Sequence, residues 1–333
     1  MGFMNFYFFT KYFFIKIFIV LYLILNLFLS LGICAESTKT PSSEEAILQE
    51  KGGVLLPKGT LVIEPGFQYS HTSRARIAIS GFTILEAIVI GKIKTEDIKK
   101  DVFMGYLNFR YGLLNNLQLE AQVPYMYRKE RYAYKEDSST TEKTVTDSNI
   151  GDISFGASYQ ILYEKGSIPD VVLNFKVKTK TGKDPYHIET DDKGIPKELS
   201  TGNGHWGISG GITLVKRSDP AVLFGSLAYF YNFKRNVEGY GEMKPGSSID
   251  FSIGMAYALN EKLSTYISYD QKIYSHTTQE GENVVGTDFN VGMLYFGTSY
   301  VISPETSLNF SVGVGLTNDA PDVTVEIRLP IKF

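Results

Sequence analysis

From residue 60 onward, apolar and polar side chains alternate with a period of two. In the stretch 117–128, Leu117, Leu119, Ala121, Val123, Tyr125 and Tyr127 share one face, and Gln118, Glu120, Gln122 and Arg128 share the other. Successive side chains of a strand point to opposite faces, so this stretch predicts a strand with one apolar and one polar surface. Phe103, Leu107, Phe109 and Tyr111 oppose Tyr106, Asn108 and Arg110 in the same way, and Phe155, Ala157, Tyr159 and Ile161 oppose Ser154, Ser158 and Gln160. Ile249, Phe251, Ile253, Met255 and Tyr257 oppose Asp250 and Ser252. The final run is the most regular: Val323, Val325, Ile327, Leu329, Ile331 and Phe333 alternate with Thr324, Glu326, Arg328 and Lys332. No comparable run repeats with a helical period. The strands run to about 10–14 residues, longer than the 5–6 usual in soluble sheets. Such lengths suit a tilted crossing of a hydrocarbon layer.

The connections are sorted by length. Short ones fall at 114–116, 164–167, 217–219, 260–262 and 303–305, and long ones at 136–148, 182–204, 236–247 and 278–288. Short turns at one end and long loops at the other are the pattern of outer-membrane barrels, whose termini sit on the periplasmic side and whose strand number is even. A soluble sandwich has less reason to sort its loops. The chain is therefore read as all-β, a transmembrane antiparallel β-barrel of about 12 strands preceded by a cleaved signal peptide. Counting back from Phe333 makes 60–72 an ascending strand and 101–113 a descending one, leaving 74–99 as the first outer loop. That loop carries Phe82, Ile84, Leu85, Ile88 and Ile90 without clean alternation. A run this apolar predicts either a hairpin extending the wall or a latch folded into the lumen, where it would gate an apolar solute.

The first 35 residues are a separate object. They contain no Asp or Glu, only Lys11 and Lys16 as cations, and an almost unbroken Ile, Leu, Phe and Val run from Ile17 to Leu31. A charged start, an apolar stretch and a small-residue exit predict a secretory signal, 1–35, cut after Ala35. An uncleaved anchor and lipidation at Cys34 are the two alternatives. Residues 36–58 turn polar and are read as a periplasmic leader, with the barrel occupying 59–333.

Charge and composition narrow the function. Lys plus Arg number 33 against 36 Asp plus Glu, a balance unlike the basic excess of a nucleic-acid binder. A single Cys excludes a disulfide framework and a cysteine-rich zinc site. With the apolar faces in lipid, the polar faces enclose a lumen. The candidate lining is Glu64, Arg110, Glu120, Arg128, Asp152, Lys176, Lys178, Asp250, Asp270, Glu326 and Arg328, with Lys176, Lys178 and Arg110 as candidates for setting an anion preference. Tyr106, Phe224, Phe230 and Tyr266 are candidate inward aromatics, and Trp206, Tyr127, Tyr132, Tyr134, Tyr229 and Tyr231 candidate members of an outer aromatic girdle. His71, His187, His205 and His276 all fall in loops or near the rim, without the Ser–His spacing of a barrel lipase, so no enzyme activity is expected. No cofactor or metal is implied: there is no phosphate-binding Gly loop, H-E-x-x-H or C-x-x-C.

The runs LPKGTLVIEPGFQYSHTS (56–73), GFTILEAIVIG (81–91), YGLLNNLQLEAQVPYMYR (111–128) and NIGDISFGASYQIL (149–162) resemble a bacterial outer-membrane transporter family linked to the meta-pathway of phenol degradation. The similarity spans essentially 56–333. It implies passive passage of a small solute through the lumen, with an aromatic or hydrophobic compound favoured, in the cell outer membrane of a Gram-negative bacterium. The alternative function is a structural or surface-interaction barrel with a plugged lumen. Ending an alternating strand on Phe333 also resembles outer-membrane barrels generally, and implies delivery through the barrel-assembly machinery. The expected partners are thus outer-membrane lipid, that machinery and a small-molecule solute, with no nucleic acid. Protein purified from outer membranes is expected to begin at Glu36 and to lack Cys34; an intact mass retaining residues 1–35, or carrying a lipid adduct, would select one of the two alternatives.

Overall fold

The computed structural model describes residues 52, 54–73, 95–136, 139–192, 195–218 and 221–333. The signal segment 1–35, most of the leader, and the candidate gate residues Phe82, Ile84, Leu85, Ile88 and Ile90 lie outside the described residues. Eighteen strands follow in chain order: β1 (Leu61–Thr72), β2 (Thr95–Leu114), β3 (Leu117–Glu136), β4 (Ser139–Ile150), β5 (Ser154–Leu162), β6 (Asp170–Lys178), β7 (Gly207–Ser218), β8 (Ala221–Asn232), β9 (Arg235–Val237), β10 (Gly241–Lys244), β11 (Ser248–Ala258), β12 (Leu263–Tyr274), β13 (Thr278–Gln279), β14 (Glu282–Asn283), β15 (Phe289–Ser303), β16 (Thr306–Gly315), β17 (Val323–Arg328) and β18 (Ile331–Lys332).

Fourteen of these segments form one antiparallel sheet that returns on itself. Two wall strands are each broken in two, β4 with β5 and β17 with β18, so the sheet is a closed barrel of 12 strands. Closure comes where β1 meets the last strand: Gly66 faces Arg328 and His71 faces Val323 across the pair. Below that, the Leu61 and Phe333 backbones bond to one another in both directions, at 3.2 and 2.8 Å. The terminal residue therefore completes the ladder. Hydrocarbon offers no partner to a free N–H or C=O, so a β-sheet can cross it only as such a closed ring.

Strand order and parity follow the alternation of the sequence. Phe251 is 42% exposed and Ile327 43%, on the outside of the barrel. Their neighbours Asp250 and Arg328 turn inward, where they meet Lys272 and Glu64. Leu107, Phe109, Phe155, Phe175, Leu227 and Ile253 join the exposed face. An apolar surface this continuous on a monomer would not persist in water; it is a lipid-facing wall. Tyr229 and Trp206 stand exposed toward the outer end, as a girdle requires, but Tyr132 does not belong to it. Tyr132 has the same parity as Arg128 and Glu130, points inward, and donates a hydrogen bond to Glu130 at 2.6 Å. The side chain of Tyr134 lies outside the described residues.

The strands depart from the sequence boundaries mainly at the outer end. The expected loop 136–148 is instead a hairpin in which β3 and β4 stay paired from Tyr125–Ile150 up to Glu136–Ser139. The start of β2 at Thr95 likewise takes residues 95–99 out of the expected first loop. Above the membrane neither face of a strand meets lipid, so a run such as 140–146 can be polar throughout except at Val145, which packs under the loop with Tyr132, Ile195 and Leu199. The wall breaks at 151–153, opposite Pro124, which has no N–H to give; Gly151 bonds to the Pro124 carbonyl at 2.9 Å and the ladder resumes below. The loops after β8 and β12 zip into a separate four-stranded sheet, β14-β13-β10-β9, which sits on the outer end with the loop 179–206.

Inside, large rings are accommodated by glycine. A Cβ on Gly66 would lie 2.2 Å from the Tyr106 ring, one on Gly254 2.3 Å from Phe224, and one on Gly297 2.2 Å from Tyr266. Each ring therefore lies along the wall, over a glycine of the adjacent strand, instead of standing across the lumen. The outward assignment predicts unequal costs for neighbouring substitutions. Ile253→Lys, at the middle of β11, is expected to cost about 2–4 kcal/mol, whereas Ser252→Lys, facing the lumen beside Asp270, costs much less. Denaturant unfolding in lipid vesicles compares the two; equal losses would contradict the assignment.

Candidate functional site

The lumen holds a cavity of about 460 Å³ whose lining includes Glu64, Asn108, Arg110, Gln118, Glu120, Lys176, Lys178, Phe230, Asp250, Lys272, Tyr274 and Arg328. A second cavity of about 230 Å³ adjoins it, with Ser226, Asp250 and Lys272 common to both, and adds Asp270, Met293 and Tyr295. The lining is mixed. Strands β1, β2, β3 and β6 supply Glu64, Arg110, Glu120 and Lys176. Strands β8, β11, β12 and β15 supply Phe230, Tyr274, Met293 and Tyr295 interspersed with Asp250, Asp270 and Lys272.

The charges are held in pairs. At the closing seam, Arg110 donates to Glu64 at 3.1 Å, Arg328 approaches Glu64 at 3.9 Å and Glu326 at 3.4 Å, and Tyr106 donates to Glu326 at 2.6 Å. Farther round, Lys176 lies 3.9 Å from Glu120 and Lys272 lies 2.9 Å from Asp250. Asp270 accepts from Ser252 at 2.7 Å. A buried charge without a partner is costly, so removing one member of the Glu64 group leaves the other uncompensated.

Three of the candidate residues, Lys178, Asp152 and Arg128, serve the outer end. Lys178, its side chain 3% exposed, donates to Asp152 at 2.6 Å, to Asn203 at 2.6 Å and to the His205 carbonyl at 2.8 Å. Asp152 in turn accepts from the Gly182 and Asn203 backbone. The pair thus ties the loop 179–206 to the wall at the 151–153 break. Arg128 binds Glu130 and donates to the Ser200 carbonyl at 2.6 Å, pinning the same loop on the other side. Glu130 and Lys100 belong to this buried group although the alternation did not single them out. Parity counted on from Arg128 would have found Glu130.

His205 is the hub of the cap. Its Nδ1 lies 2.8 Å from the Phe233 carbonyl, which can only accept, so Nδ1 carries the proton. Nε2 then accepts from the Tyr186 hydroxyl at 2.7 Å. Tyr186 packs on Val237 and Met243 of the small outer sheet, with the Arg235 guanidinium 5.3 Å from its ring. Among the other histidines, His71 binds Asp101 at 2.8 Å and His276 approaches Asp288 at 3.2 Å. Burial pushes His205 down to about 4. A histidine whose folded value is depressed contributes stability that is present above its ordinary value near 6.5 and is lost as pH falls from there toward 4. The sole tryptophan, Trp206, is the next residue. Its emission is expected to report loosening of the cap between pH 6.5 and 4, and His205→Gln to abolish that transition; an unchanged titration in the variant would assign it elsewhere.

Comparison with known proteins agrees with this architecture. Residues 58–333 match the model of the family described as "Putative MetA-pathway of phenol degradation". Among solved structures, an outer membrane channel from Pseudomonas putida F1 superposes with a TM-score of 0.62 at 15% identity, over 84% of this chain and 97% of that one. The monoaromatic hydrocarbon channel CymD gives 0.45 at 10% identity, over 90% and 94%. The toluene transporter TbuX of Ralstonia pickettii gives 0.41 at 12% identity, over 83% and 89%. With its family match running from the mouth of the first strand to Phe333, the chain belongs to this phenol-degradation family and is an outer-membrane β-barrel.

Proposed function

We propose that the protein is a channel through which a small solute diffuses passively across the outer membrane. The observation that carries this is the pair of adjoining cavities along the axis of a closed, lipid-facing barrel. Glu64, Arg110, Glu120, Lys176, Asp250, Asp270 and Arg328 line the path. Glu326 supports Arg328, while Asp152, Lys178 and Arg128 hold its outer end in shape.

The mixed lining favours a solute of mixed chemistry. A purely apolar molecule would displace water from Glu64, Arg110 and Lys176 without replacing its hydrogen bonds. A fully polar one would gain nothing from Phe230, Tyr274 and Tyr295. An aromatic ring bearing a hydroxyl or carboxylate meets both kinds of lining residue. Export follows cleavage of the signal 1–35, and assembly proceeds through the C-terminal strand ending in Phe333. A second reading, a plugged barrel that only displays its outer loops, draws support from the loop 179–206 lying over the outer end.

Planar-bilayer recording separates the two. The channel reading expects discrete conductance steps and, in a salt gradient, a reversal potential displaced toward cations by Lys176→Glu. Liposomes containing the protein are expected to admit phenol or benzoate faster than a sugar of similar size. No conductance in a folded barrel would favour the plugged reading, and unchanged selectivity in Lys176→Glu would remove that residue from the path.

A further inference from the structure

One residue of the principal chamber carries a hydrogen-bond donor that the fold does not use. Tyr274, at the outer end of β12, lines the chamber with only 4% of its surface exposed, its ring packed among Phe289, Val291, Met293 and Ala320. Its hydroxyl is buried, and its proton has no acceptor among the described residues. The neighbouring charge is the Lys272 ammonium, 5.6 Å from the centre of the Tyr274 ring. An ammonium donates only, so it cannot accept that proton. A buried donor without a partner costs free energy, and an acceptor that arrives from outside recovers it.

Lys272 faces the same chamber, its side chain 26% exposed, and is held by Asp250 at 2.9 Å. The wall beside the pair is built from small residues. Gly211 faces Ala228 across the β7–β8 ladder, and a Cβ on Gly211 would lie 2.7 Å from the Ala228 Cβ. Phe230, the next inward residue of β8, lies along the wall over Gly207, where a Cβ would come within 2.4 Å of its ring. Ala228 pairs with Asp250, and Asp250 with Lys272. The small floor and the ammonium are therefore two strand spacings apart, about 10 Å. A single aromatic ring bearing an acidic group spans such a gap.

Resting on the channel reading, we infer that Lys272 and Tyr274 form a binding station for the carboxylate of a small aromatic acid, whose ring lies against Ala228 and Phe230. A carboxylate offers one oxygen to the ammonium and the other to the hydroxyl, and its charge makes both bonds roughly twice as strong as neutral ones. The flexible Lys272 stem lets the ammonium swing aside and uncover the hydroxyl. Asp250 competes with the incoming carboxylate for Lys272, so the solute is held loosely and released when the Lys272–Asp250 pair re-forms. The two donors are positioned by different strand partners, Asp250 for Lys272 and Phe289 for the Tyr274 ring, so each can be altered while the other stays in place.

The test uses the full chain in planar bilayers, with potassium chloride carrying the current, benzoate as the probe and heat-modifiable gel mobility as the control for folding. Benzoate is expected to reduce the current, and Tyr274→Phe, which removes the hydroxyl alone, to raise the half-blocking concentration about tenfold, as the loss of one hydrogen bond to a charged group requires. Asp250→Asn is expected to lower that concentration, because the competing carboxylate is gone; a residue that merely braced the wall would not tighten binding on removal. A half-blocking concentration that Tyr274→Phe leaves unchanged would overturn the station while leaving the channel standing. Block by phenol as strong as that by benzoate, and weakened in Asp250→Asn, would assign the site to a neutral hydroxyl and overturn the carboxylate. A folded wild-type barrel that neither conducts nor binds benzoate in calorimetry would overturn both the channel and the station.

Discussion

The requirement that no backbone hydrogen bond be left open in hydrocarbon governs the whole molecule. It forces the first and last strands together, so that Leu61 and Phe333 bond to each other across the seam. Once the ring is closed, each strand has one face for lipid and one for the interior, and the alternation of the sequence becomes an inside and an outside. The breaks in the wall respect the same rule. Where Pro124 cannot donate, the partner strand interrupts itself and Gly151 still finds the Pro124 carbonyl.

Closure creates a second problem, because it confines many charged groups in a narrow space. The answer is pairing and layering. The Glu64, Arg110, Arg328, Glu326 and Tyr106 group sits directly behind the seam, so the strands that must meet also share an ion-pair network. Rings that would otherwise block the axis lie flat over glycines. The abundance of Gly beside Tyr and Phe in the composition thereby gains a specific structural meaning, beyond the twisting of strands.

The ends of the barrel follow different physics from its middle. At the outer end, water satisfies exposed backbone, so loops can fold on one another. Lys178 and Arg128, read from the sequence as lumen charges, bind Asp152, Glu130 and the backbone of the loop 179–206. At the inner end, Leu55 and Leu56 of a leader that otherwise looks solvated are buried, and Val54 packs on the cluster around Phe224.

The wall was legible in the alternation alone: the number of strands, their direction, and the outward turn of Phe251 and Ile327 against Asp250 and Arg328. It could do so because lipid on one side and a polar lumen on the other impose a period of two on every crossing residue. Where that contrast of solvents ends, the pattern ends too. The β3–β4 hairpin above the membrane, the inward turn of Tyr132 and the burial of Leu55 and Leu56 follow from contacts made only in the fold. They depend on partners distant in the chain: Ile150 for Tyr125, Leu199 and Ile195 beside Tyr132, and Gln118 for Leu56. A short apolar run says that burial is wanted, but only the closed barrel supplies the cavity in which it occurs.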